Sequence, residues 1–129
     1  MESPGFLLWR TTMRWQRAIA AALAPLGLTH VQFVLLASAW WMSQHEAPNQ
    51  VQLAAQAGTD IKMTSEVIGR LESKGLLSRA IDPADARAKI LAVTSEGAAL
   101  AQRAIEIVEA ADAEFFAAVD SRPLVTLLQ

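Results

Sequence analysis

From Ala18 to His45 the chain carries no Asp, Glu, Lys or Arg, over a length that could cross a bilayer. That leaves two outcomes, a membrane span or helices enclosed by protein. Pro25 and Gly27 interrupt the stretch, and Thr29 followed by Gln32 reads as a capping box that opens a new helix. In lipid such a break would leave backbone N–H and C=O groups without partners. The segment is therefore read as two buried helices, and no membrane partner is expected. The opening Met-Glu-Ser-Pro-Gly has no basic region ahead of an apolar run and no small-residue cleavage pattern, so no secretion signal is expected.

At 129 residues the chain is expected to form a single domain over 1–129, large enough to bury a core without staples. A hydrophobic fraction of 53%, rich in Ala, favours helices and argues against an all-β fold. The absence of cysteine removes disulfides, thiolate metal sites and thiol switches together. Only His30 and His45 remain as neutral ligands or bases; there is no helical His pair, phosphate-binding glycine loop or serine nucleophile elbow. No enzyme, metal or cofactor is expected. With 11 Lys+Arg against 13 Asp+Glu and a net charge of -2, any nucleic-acid surface must be local.

Punctuation residues divide the chain. Ser3-Pro4 starts a helix whose apolar series is Phe6, Trp9, Met13, Ile19 and Leu23, with Arg10, Arg14 and Arg17 on the wet side. The helix after Thr29 is apolar on most sides, which places it inside the domain or in a subunit contact. Asn49 caps a short helix, Gln50 to Ala57, ended by Gly58. Asp60 caps a second helix, with Ile61, Thr64, Val67, Ile68 and Leu71 on its apolar side and Gly75 as its stop. Two short helices meeting across a few residues form a helix-turn-helix, in which the first braces the second. Leu76 to Ile81 and Lys89 to Val93 then read as a hairpin around a loop of Asp82 to Ala88, in the place of a wing. Thr94 caps a long final helix with apolar rows on two faces, and Ser121 to Gln129 begins helically.

Residues 60–90 hold Lys62, Arg70, Lys74, Arg79, Arg87 and Lys89 against Asp60, Glu66, Glu72, Asp82 and Asp85, a local basic excess in an acidic chain. That polarity suits a protein that meets phosphate with one face. The outer face of the second helix presents Lys62, Met63, Ser65, Glu66, Gly69 and Arg70, a mixture able to read base edges.

These residues resemble the winged helix-turn-helix regulators of the multiple-antibiotic-resistance (MarR) type, from about Leu26 to Gly97. The carriers are Leu53-Ala54, the run Arg70-Leu71-Glu72-Ser73-Lys74-Gly75-Leu76-Leu77-Ser78-Arg79, the wing Asp82-Pro83-Ala84-Asp85-Ala86-Arg87-Ala88-Lys89, and Leu91-Ala92-Val93-Thr94-Ser95-Glu96-Gly97. The resemblance implies a mainly α fold with a small β-hairpin wing: a winged helix DNA-binding lobe over about 28–97, flanked by dimerisation helices over about 4–25 and 98–129. It implies a cytoplasmic, bacterial, homodimeric transcriptional regulator of double-stranded DNA, a ligand-responsive repressor on a pseudo-palindromic operator. Lys62, Met63, Thr64, Ser65 and Arg70 take the places of base and phosphate contacts. Arg87 takes that of the wing arginine in the minor groove, Asp85 that of the carboxylate orienting it, and Lys89 joins them on the wing. Glu66 departs from a position usually basic or neutral, and suits either an unusual operator or a cytosine amine.

Relatives of this type release DNA when a small aromatic or phenolic compound enters between the dimer lobe and the reader lobe. Trp9, Met13, Arg17, His30 and Phe33 are the residues here that would border such a crevice, although Trp and Phe at helical spacing more often serve packing. The competing class is a winged-helix module that recognises protein without binding DNA.

Overall fold

In the computed structural model, which describes residues 3–129, the order of elements is α1 (Pro4–Leu23), α2 (His30–Met42), α3 (Gln50–Ala57), α4 (Ile61–Ser73), β1 (Leu77–Asp82), β2 (Asp85–Val93), α5 (Ser95–Phe115) and α6 (Arg122–Leu128), with a 3-10 turn at Ala24–Leu26. Helices dominate, and the strands form one antiparallel pair.

Side chains set most of these boundaries. Thr29 and Gln32 exchange the two bonds of a capping box, each at 3.2 Å. Asn49 and Gln52 do the same at 2.8 and 3.0 Å. Asp60 accepts the Met63 N–H at 2.7 Å, and Thr94 accepts that of Gly97 at 3.0 Å. Each such cap is worth about 0.5–2 kcal/mol. Ser3 sits at the N-cap of α1 but its hydroxyl makes no capping bond; Pro4 starts the helix through its fixed φ. Gly58 and Gly75 close α3 and α4 in the left-handed region, at φ 72° and 75°.

One buried cluster joins Ile19 and Leu23 of α1, Leu35, Leu36 and Ala39 of α2, Leu53 of α3, Val67, Ile68 and Leu71 of α4, Leu77 and Leu91 of the hairpin, and Ala101, Ala104 and Val108 of α5. Helix α2 touches α1, α3, α4, α5 and β2, which is why the stretch around it has no charges. Its exception is Trp41, 57% exposed near the C-terminal end. The first two helices meet at a bend of 73°, and among the described residues no single helix is long and apolar enough to cross a membrane.

The structure corrects the hairpin. The strands run further than expected, leaving only Pro83 and Ala84 between them in place of the loop Asp82 to Ala88. Asp82 Oδ1 accepts the Ala84 N–H at 2.8 Å, a side-chain turn that tightens the corner. Pairing proceeds regularly to Ile81↔Lys89 and then jumps to Asp82↔Asp85, so residues 86–88 bulge out of the ladder. Ile61, expected on the apolar side of α4, is 56% exposed, because α4 begins before it reaches the core. At the other end of the hairpin, a Cβ on Gly97 would run into the Leu76 carbonyl. The Thr94 N–H donates to that same carbonyl at 3.1 Å and its hydroxyl to Gly75 O at 2.7 Å, fastening α5 to the base of the wing.

Candidate nucleic-acid interface and adjoining crevice

Helix α4 turns Thr64, Val67, Ile68 and Leu71 inward. Lys62, Glu66 and Arg70 form an exposed ridge at helical neighbour spacing, the acid lying between the two bases. Thr64, assigned to the reading face, is fully buried. Its hydroxyl donates to Asp60 O at 2.7 Å and bonds to the Thr59 hydroxyl at 2.6 Å. It therefore secures the turn between α3 and α4 and cannot reach a base. Met63 is likewise half-buried against the core. Ser65 is half-buried, and its hydroxyl and carbonyl oxygens accept from Arg79 Nη1 at 3.2 and 3.3 Å.

Two basic residues counted toward the groove have structural partners. Lys74 Nζ donates to Gly27 O at 2.6 Å and to Gln32 Oε1 at 2.9 Å, tying the end of α4 to the corner between α1 and α2. Arg79 Nη1 also donates to Gln50 Oε1 at 3.0 Å, and Nη2 to Glu72 Oε1 at 3.4 Å. No local signal marked either residue, since their partners lie far away in sequence.

On the wing, Arg87 occupies the bulge with its side chain 96% exposed. Asp85 Oδ1 accepts the Arg87 backbone N–H at 3.0 Å, whereas the guanidinium Nε stands 3.9 Å from that oxygen. The carboxylate thus shapes the backbone of the bulge and also pairs with the guanidinium, in a long and exposed ion pair. Lys89 is exposed on the same strand.

Between α1, α2 and the end of α3 lies a crevice of about 630 Å³ lined by Met13, Trp15, Arg17, His30, Val31 and Thr59, among others. It gathers three of the five expected residues. Trp9 is 62% exposed and does not line it, and Phe33 packs against the core instead. Trp15 was missed, although the helical row Trp15, Ile19, Leu23 ends in two fully buried residues and pointed inward. The Trp15 indole stands edge-on to His30, centroids 5.0 Å apart, and its N–H donates to Asp112 Oδ1 at 2.6 Å. Burial lowers the His30 pKa, and the Asp112 carboxylate partly opposes that shift. Trp15 also lines a second hollow of about 600 Å³, with Leu8 and Thr12 of α1, Asp112 of α5, Phe116 just beyond it and Leu124 of α6.

A short helix bracing a second helix with an outward basic ridge, followed by a hairpin ending in an exposed arginine, defines a winged helix-turn-helix DNA-binding protein. Residues 28–89 match the MarR family model. Over 117 residues the chain is 48% identical to the HTH-type transcriptional regulator YdcH of Bacillus subtilis, covering 90% of this chain and 80% of the relative. Among solved structures, CouR from Rhodococcus jostii RHA1 bound to p-coumaroyl-CoA superposes with a TM-score of 0.84 at 30% identity, covering 98% of this chain and 86% of that one. The Mycobacterium tuberculosis MarR family protein Rv2887 in complex with DNA gives 0.76 at 30% identity, covering 99% and 96%. The chain belongs to the MarR family of transcriptional regulators.

Proposed function

We propose that this chain is a homodimeric, sequence-specific repressor that acts in the cytoplasm by binding rather than catalysis, and that a small aromatic acid in the α1–α2 crevice lowers its affinity for DNA. The observation that carries the reading is the pairing of an exposed Lys62–Glu66–Arg70 ridge on α4 with Arg87, 96% exposed at the end of the adjoining hairpin. Lys62, Ser65 and Arg70 meet the major groove, Arg87 enters the minor groove, and Lys89 meets phosphate. Met63, half-buried like Ser65, borders the same face, whereas Thr64 is buried and holds the turn, and Asp85 acts mainly through the wing backbone.

The lobe over about 28–97 carries the reading surface, and the flanking helices make the dimer. The hollow between α1, α5 and α6 and the exposed Phe6, Leu8, Leu127 and Leu128 give those helices an apolar face suited to a second copy. Two readers about 34 Å apart then demand a pseudo-palindromic site. In the crevice, Arg17 offers a cation to a carboxylate, with Met13, Trp15 and Val31 as apolar walls.

Selection of bound duplexes from a random pool, with scattering to give the mass in solution, tests the reading. The expected outcome is a dimer and an inverted repeat with half-sites one turn apart. A monomer, or a pool that stays random at low salt, overturns it in favour of a protein-recognition module. Lowered operator affinity on addition of an aromatic carboxylate, in step with quenching of tryptophan fluorescence, tests the effector; quenching with unchanged DNA binding rejects it.

A further inference from the structure

We propose that Arg79 is a positioning residue for DNA reading: it sets the angle between wing and reader helix, and Gly69 is the seat that lets it do so. The inference rests on the DNA-binding reading above and adds to it a residue that touches no DNA. Arg79 lies on β1, with its side chain 25% exposed. Its guanidinium donates to Gln50 at the start of α3, to the hydroxyl and carbonyl of Ser65 in the middle of α4, and to Glu72 in the last turn of α4. Glu72 Oε2 also accepts the Arg79 backbone N–H at 3.2 Å, so one carboxylate holds both the strand and its side chain. A planar fork with fixed donor directions is suited to join several acceptors at one angle; an ammonium is not.

Gly69 supplies the independent observation. Glycine inside a helix is a destabilising choice relative to alanine, and Gly69 does not have a positive φ, so its backbone does not require glycine. What crowds the position is the guanidinium: a Cβ there would stand 3.3 Å from Arg79 Nη2, tight enough that the guanidinium would have to shift by a few tenths of an ångström. The missing side chain makes room for the arginine to lie across α4.

Position along the hairpin explains why this matters. The opposite strand is held near α3 by the Asn49↔Ile90 bridge. Past Arg79 on β1, Ile81 is 61% exposed and the strands run out into solvent toward Arg87. An angular error at Arg79 is therefore carried along the extended strands to the arginine at the tip. The contacts of Lys62 and Arg70 would then no longer match the reach of Arg87.

The test compares wild type, Arg79→Lys, Gly69→Ala and the double variant on two probes: a duplex selected by the wild type from a random pool, and a scrambled duplex of equal length. Thermal melting runs alongside. Arg79→Lys keeps the charge, so binding to the scrambled duplex and its salt dependence stay unchanged, while affinity for the selected duplex falls roughly tenfold. Gly69→Ala shows the same selective loss while remaining folded, and the double variant is no worse than Arg79→Lys alone. Retained discrimination in Arg79→Lys or in Gly69→Ala overturns the proposal. So does full additivity in the double variant, which would mean that the new methyl meets DNA directly. If the wild type itself retains no duplex, the DNA reading falls and this assignment with it.

Discussion

The indole N–H of Trp15 donates to Asp112 Oδ1 at 2.6 Å, joining α1 to α5 across 97 positions of sequence. Both residues are half-buried, so the bond is short, charge-assisted and partly shielded from water. Asp112→Ala leaves the indole donor without its partner and is expected to lower stability by about 1–3 kcal/mol. Trp15→Phe removes the donor as well. Urea unfolding at fixed protein concentration checks the first effect, because subunit association otherwise enters the midpoint.

The same cluster gives a pH dependence of defined sign. Burial holds the His30 pKa below its ordinary 6.5, so on lowering the pH the unfolded chain takes up the proton before the folded one does. Its contribution is complete above about pH 6.5 and is lost as the pH falls from there toward the depressed folded value. The difference in unfolding free energy between wild type and His30→Gln should therefore shrink with acid over that window. Because Asp112 opposes the shift, Asp112→Asn should extend the loss to lower pH. A difference that does not vary with pH would remove His30 from the account.

Arg87→Ala should weaken binding to a selected duplex by about 1–3 kcal/mol and reduce the salt slope by about one. Asp85→Ala should act more mildly, because its carboxylate holds the backbone of the bulge at 3.0 Å and the guanidinium only at 3.9 Å. Fluorescence anisotropy across a salt series separates the two. Equal losses would show that the ion pair with Asp85, more than the backbone bond, sets how Arg87 meets DNA.

Gly97→Ala drives a methyl into the Leu76 carbonyl. That carbonyl already accepts the Thr94 N–H and has little freedom to withdraw. The expected cost is about 1–3 kcal/mol, typical of overpacking, read as a lowered melting temperature. A rise in melting temperature, as alanine normally gives within a helix, would show that the contact relaxes.

Local chemistry was legible in the chain, and distant chemistry was not. Thr29, Asn49, Asp60 and Thr94 were recognisable as caps because each bonds a backbone group a few positions away. Gly58 and Gly75 stood out because left-handed backbone favours glycine. The wing is legible as a hairpin, but its polar end reads as an unpaired loop, since alternation of apolar and polar residues says nothing of a bulge that keeps Asp82 and Asp85 in register. Thr64 misled in the opposite way: a hydroxyl on a reader helix suggests a base contact until the Thr59 and Asp60 oxygens are seen beside it. Lys74 and Arg79 counted as groove charges because nothing near them names Gly27, Gln32 or Gln50 as partners. In the crevice, Met13, Arg17 and His30 came together while Trp9 and Phe33 did not, since helical spacing alone does not tell which neighbour a face will meet.

One flat ring is the partition between two chambers, one opening toward α2 and α3 and the other toward α5 and α6. Its N–H is pinned to the Asp112 carboxylate, so the ring stands as a fixed wall shared by both hollows. Light emitted by that indole is open to change from either side.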